Sequence, residues 1–153
     1  MSTPMASTPP GRPTVNAGRL WSGGLATAAV TALVAIAGIL LARGVFDVPV
    51  LAPKGEGTWG DADTWRYAVF AALAALLATG LLHALILYTP QPLRFFSWII
   101  ALATLVAMLA PFVAERSWST VATALINLAL GITVGTLLPG VARTATRVAT
   151  RNS

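Results

Sequence analysis

Four long apolar runs dominate the chain, at about Leu20 to Ala42, Arg66 to Tyr88, Phe95 to Val113 and Ser119 to Leu138. Each holds about 19 to 23 residues, which at 1.5 Å per residue covers the roughly 30 Å hydrocarbon core of a bilayer. The apolar positions do not alternate, and the runs are far longer than the roughly ten-residue strands of a membrane barrel. Peptide groups in lipid have no water to bond, so helix is predicted for every run. The pattern therefore predicts an all-α integral membrane bundle of four transmembrane helices.

The intervening polar stretches fix how these helices connect. Thr89-Pro90-Gln91-Pro92-Leu93-Arg94 joins the second and third runs, and its paired prolines end one helix and force a tight reversal. Ala114-Glu115-Arg116-Ser117-Trp118 joins the third and fourth, with Ser117 or Ser119 available as a helix cap. Links this short imply antiparallel neighbours. The connection from Arg43 to Trp65 is longer and is the one sizeable polar feature between helices. Residues 1–18, rich in Pro, Ser and Thr, bury too little to offset their ordering entropy and are predicted to be a disordered cytoplasmic tail. Residues 19–142 then make the transmembrane domain, and 143–153 a basic cytoplasmic tail.

Charge gives the orientation. An even number of crossings puts Arg12, Arg19, Arg94, Arg143, Arg147 and Arg151 on one side with no acid, and Arg43, Lys54, Arg66 and Arg116 on the other with all five acidic residues. The side richer in basic residues is cytoplasmic by the positive-inside rule, which predicts a multi-pass plasma-membrane protein with both termini inside. Aromatics fit interfacial belts, with Trp21, Tyr88, Phe95, Phe96 and Trp98 at the inner ends and Trp65, Tyr67, Phe112 and Trp118 at the outer ends. Arg19 followed by an apolar stretch and Ala35-Ile36-Ala37 also resembles a cleavable secretory signal. The run continues through Leu40, Leu41 and Ala42, which favours an uncleaved anchor.

Composition narrows the chemistry. Hydrophobic residues make up 56% of the chain and charged ones 10%, so the bilayer is its natural solvent. The net charge of +5 comes from basic residues standing singly at the ends of apolar runs, which excludes a nucleic-acid surface. With no cysteine, disulfides, thiolate metal sites and S-acylation are excluded. Lys54 is the only lysine among ten basic residues, and this bias with the abundance of Ala points to a GC-rich, actinobacterial genome.

Polar and small residues inside the runs are the candidates for function. Thr123, Asn127, Gly131 and Gly135 recur every four residues on one face of the fourth helix, the glycines forming a GxxxG; Ala71, Ala75, Thr79 and His83 make a similar stripe on the second. Such stripes are expected to pack the bundle, with a homodimer face as the alternative. Asn127 and His83 are the strongly polar side chains well inside, and each must find a partner, because an unpaired amide or imidazole in hydrocarbon is expensive. Counting from the helix ends places Asn127 roughly 12 Å below the outer surface, level with Thr104 and near Thr31, and His83 roughly 7 Å above the inner surface, level with Thr133 and Thr27. Their different layers argue against a direct bond between them. A structural role outweighs proton transfer for His83, and packing outweighs function for Asn127. Asp61 and Asp63 with Glu56 admit a divalent-cation reading, but as residues preceding a helix Asp61 and Asp63 are better read as caps. Arg143, Arg147 and Arg151 at helical spacing beyond Pro139-Gly140 predict a short basic turn able to lie on anionic lipid.

The stretches Arg19-Leu-Trp-Ser-Gly-Gly-Leu-Ala-Thr-Ala, Asp47-Val-Pro-Val-Leu-Ala-Pro, Phe95-Phe-Ser-Trp-Ile and Thr123-Ala-Leu-Ile-Asn-Leu resemble a family of small actinobacterial membrane proteins of unknown function. The resemblance covers about Arg19 to Val141 and implies four helices and no particular chemistry. No catalytic residue, cofactor site or metal site is expected. The favoured expectation is a non-enzymatic protein working by association, as an accessory subunit or a homo-oligomer. A small transporter or channel subunit acting as an oligomer is the alternative, and a membrane enzyme stands third for want of clustered titratable groups.

Overall fold

The computed structural model describes residues 15–44, 47, 50–53, 59–61, 63–114 and 118–147. Four helices account for most of them: α1 Ala17–Gly44, α2 Thr64–Tyr88, α3 Pro92–Ala114 and α4 Trp118–Arg147. All four are long and apolar enough to cross a membrane. The predicted tail at residues 1–14, Lys54, Glu56, the third link's Glu115, Arg116 and Ser117, and Arg151 lie outside the described residues.

Local signals set the helix ends. Asn16 starts α1, its side-chain oxygen accepting the Arg19 N–H at 3.1 Å, so the helix begins three residues before the apolar run and takes in Ala17 and Gly18. Asp63 caps α2 by accepting the Trp65 N–H at 3.2 Å, the capping role expected of it. Thr89 ends α2 in extended conformation with its N–H on the Leu85 carbonyl, and Pro92 opens α3, where its missing N–H leaves no bond unmade. At the other extreme α4 runs through Pro139 and Gly140 to Arg147 rather than stopping at Leu138. The tertiary reason is that Leu138, Ala142 and Ala145 are all buried in one cluster with Leu20, Leu82 and Phe96.

Pairwise contacts show every neighbour to be antiparallel. Gly24 lies against Thr79 and Ala35 packs with Ala68 and Ala71, which aligns α1 and α2. Gly23 against Val141 and Gly38 against Ile126 align α1 and α4, and Gly131 against Thr104 with Gly135 against Ile100 align α3 and α4. The helices thus form a ring in chain order, closed by α1 on α4, in which the α2–α3 seam is the loosest. Both described chain ends, Val15 and Arg147, fall at one end of the bundle, the terminal end. Opposite lies the loop end.

Between α1 and α2 the loop folds back onto its end of the bundle. Asp47 turns the chain with φ 52°, a left-handed conformation that Asp tolerates better than most residues. Val50 is then fully buried against Ile39, Ala42, Ile126 and Tyr67. Two three-residue strands follow, β1 Leu51–Pro53 and β2 Trp59–Asp61, antiparallel in the register Leu51 to Asp61, Ala52 to Gly60 and Pro53 to Trp59. Segments so short carry no hydrophobic period, so the sequence alone predicts no element in this loop.

The surface is as apolar as the core. Leu25, Leu33, Leu77, Leu102, Val106 and Leu125 are all exposed, and of the described α3 side chains only Phe96 and Pro111 are buried. Monomeric soluble proteins rarely expose so continuous an apolar surface, whereas a lipid bilayer suits it. Phe96 departs from its expected place in an aromatic belt: it is the largest fully buried side chain and plugs the terminal-end core, while its neighbour Phe95 faces outward.

Candidate functional site

Inside the spans the buried polar side chains among the described residues are threonines, and most of them bond their own helix. Thr27, Thr31, Thr79 and Thr123 each donate to the carbonyl four residues earlier, as do the part-buried Thr104 and Thr133, at 2.7 to 2.9 Å. A threonine so bonded has its hydroxyl satisfied and packs as a small residue against the next helix. This is what lets backbones approach: a Cβ placed on Gly24 would overlap Thr79, and one on Gly131 would overlap Thr104. At Gly135 the crowding is milder, with Ile100 Cγ2 at 3.3 Å. The GxxxG face of α4 is therefore covered by α3 within the chain, which removes it as a dimer face.

Asn127 makes the most elaborate polar contact. From α4 its Nδ2 donates to the Ala107 carbonyl of α3 at 2.7 Å, and its Oδ1 accepts the Tyr67 hydroxyl of α2. The Ala107 carbonyl is the one that Pro111 orphans, because it would otherwise accept the N–H four residues on, and proline has none. Asn127 supplies the missing donor from a neighbouring helix, the general way in which proline is tolerated inside membrane helices. One amide thus ties three helices across the loose α2–α3 seam.

His83 lies elsewhere. Its Nδ1 accepts the indole N–H of Trp21 at 3.0 Å, with the rings edge to face and centroids 6.4 Å apart. An indole can only donate, so Nδ1 is the acceptor in this pair. Tyr67 and His83, sixteen residues apart in sequence, stand about 24 Å apart along α2. The two polar contacts are separate, as the different layers had implied.

Neither bond runs to a threonine counted as level with it: Thr104 and Thr31 bond their own helices, as do Thr133 and Thr27. For His83 the level itself shifts, because α1 starts earlier and α4 runs on well past the apolar segment. Tyr67 was placed in the outer belt with Trp65. Two residues on along a helix is more than half a turn, so with Trp65 72% exposed Tyr67 faces inward. Among the described residues no group of His, Asp and Glu could hold a metal ion; Asp61 sits in β2 and Glu56 lies outside the described residues.

A family model described as a family of unknown function (DUF6069) matches residues 15–147. The chain belongs to that family. The DUF6069 match opens two residues before α1 and closes on the last residue of α4, so it spans the whole bundle, including the α4 extension. Neither the curated proteins nor the solved structures yield a match.

Proposed function

We propose that this DUF6069 protein is a multi-pass plasma-membrane protein with both termini cytoplasmic, which works by association rather than by catalysis, as an accessory subunit or as a small homo-oligomer. The observation that carries the reading is that the candidate polar groups within the spans are already committed inside the chain. Asn127 is bonded to Tyr67 and Ala107, His83 to Trp21, and Thr79, Thr104 and Thr133 to their own helices. A reaction needs several free groups in one layer, and a transport path needs polar groups that can exchange their partners for cargo. The transporter alternative has correspondingly less support, since its two best lining residues are engaged and far apart.

Orientation draws on the charges. Among the described residues Arg19, Arg94, Arg143 and Arg147 share the terminal end, against Arg43 and Arg66 at the loop end, which supports a cytoplasmic terminal end. The basic residues Arg143, Arg147 and Arg151 then meet anionic lipid of the inner leaflet. An actinobacterial source accords with the same arginine bias. The deciding experiment is the mass of the protein extracted in mild detergent, by light scattering: a stable complex above monomer mass is expected, and a monomer accompanied by nothing would overturn association.

A further inference from the structure

The contacts that set helix register also reveal which residues share a level. Stepping outward from Gly23 against Val141 and from Gly135 against Ile100 puts Arg19 level with Ala145 and Arg94 level with Val141, with Arg143 between them. Three arginines on three helices therefore fall within a layer about 6 Å deep along the bundle axis. All three are exposed, and the carboxylates among the described residues stand at the opposite end. The exposed Trp21 lies within this layer, and the exposed Phe95 and Trp98 just inside it. Along α4 the exposed stripe changes at the same depth, from Ile132 and Leu137 to Arg143 and Thr144, while Ala142 and Ala145 stay buried on the inner side. The helix thus leaves the apolar zone still docked on α1, with its cationic side turned outward.

We propose that Arg19, Arg94 and Arg143 form a collar that binds the phosphate groups of anionic phospholipids. This rests on the membrane reading above and names the lipid class that the terminal end selects. Guanidinium groups bond phosphate oxygens bidentately, and nothing at this level within the described chain neutralises them. Arg19 and Arg94 sit on α1 and α3, which face each other across the ring, so one soluble anion does not serve both. A shell of lipids around the perimeter does, at the depth where the aromatic residues mark the interface.

The test uses the full chain in lipid nanodiscs, comparing spin-labelled phosphatidylglycerol with spin-labelled phosphatidylcholine for association with the protein. A several-fold preference for phosphatidylglycerol is expected at low salt, about fivefold for each arginine-facing site and falling toward parity near 1 M salt. The R19Q/R94Q/R143Q variant should lose the preference, R19K/R94K/R143K should keep most of it, and R66Q at the loop end should leave it unchanged. Parity for the natural chain overturns the collar, as does a preference that survives the triple glutamine variant. Failure to enter nanodiscs, with the chain soluble in plain buffer, would instead overturn the membrane reading itself.

Discussion

Pro111 and Asn127 form a coupled pair, although they stand on different helices. Removing the Asn127 amide leaves the Ala107 carbonyl without a donor in an apolar setting, and Asn127→Ala should destabilise the bundle by about 1–2 kcal/mol. Pro111→Ala restores a backbone N–H that can bond Ala107, so the same asparagine substitution should cost distinctly less in that background. Reversible unfolding of the two single variants and the double variant, in detergent or bicelles, gives the coupling energy; strict additivity would mean that Asn127 is not the surrogate donor. This pair was half legible in the sequence. Asn127 was recognised as needing a partner, and a proline at position 111 announces a free carbonyl four residues back. Joining the two required the helix register. Trp21 and His83 were less legible still, since an indole at a membrane end reads as an interfacial anchor and only the packing of α1 on α2 turns it toward the imidazole.

Glycines carry the next scale, because they set how closely one element approaches another. Gly131 and Gly135 belong to one sequence motif yet meet different surroundings, Thr104 in direct overlap and Ile100 at 3.3 Å. Gly131→Ala should therefore cost about 1–3 kcal/mol by forcing α3 away from α4, while Gly135→Ala should lie within about 1 kcal/mol of the natural chain. Equal effects would show that the spacing rather than the contact matters. Gly80, also helical, has open space where a Cβ would go, and Gly80→Ala should be neutral or stabilising by up to about 1 kcal/mol. The extension of α4 is testable in the same way. A chain ending at Pro139 loses Val141, Ala142 and Ala145 from the face that covers α1, and with them about 2–3 kcal/mol of burial. Its thermal unfolding temperature should fall, and retention of the full value would mean that the extension is only a tail. The sequence concealed this element because Pro139-Gly140 reads as a stop signal, and the tertiary contacts of Leu138 and Ala142 override it.

At the scale of the molecule, the even number of helices long enough to cross a membrane governs everything else. Four helices with antiparallel contacts at every neighbouring pair require both described ends to lie at one end of the bundle. The apolar runs foretold this in part, since their lengths match a bilayer and the last two links are short enough to force antiparallel neighbours, whereas the long first link leaves the α1–α2 pairing to the tertiary contacts. α1 bears directly on the alternative of a cleaved signal, because it packs on both α2 and α4 and buries Leu20 and Ala35 completely. Cleaving it after Ala37 would strip both partners of that surface and leave an odd number of spans. Reporter fusions distinguish the cases. A reporter active only outside the cytoplasm, fused after Lys54, and one active only inside, fused after Gln91, should both give signal, with the swapped pair silent. A mature protein beginning after Ala37, found by N-terminal sequencing, would overturn the four-span topology, and so would signal from both fusions on the same side. The arginine layer makes the sharper demand: with Arg19, Arg94 and Arg143 at one depth, moving that end across the membrane means moving three guanidinium groups through hydrocarbon together. Replacing all three with glutamine removes most of that barrier from the described chain, so this variant should show mixed orientation in the fusion assay where the natural chain shows one.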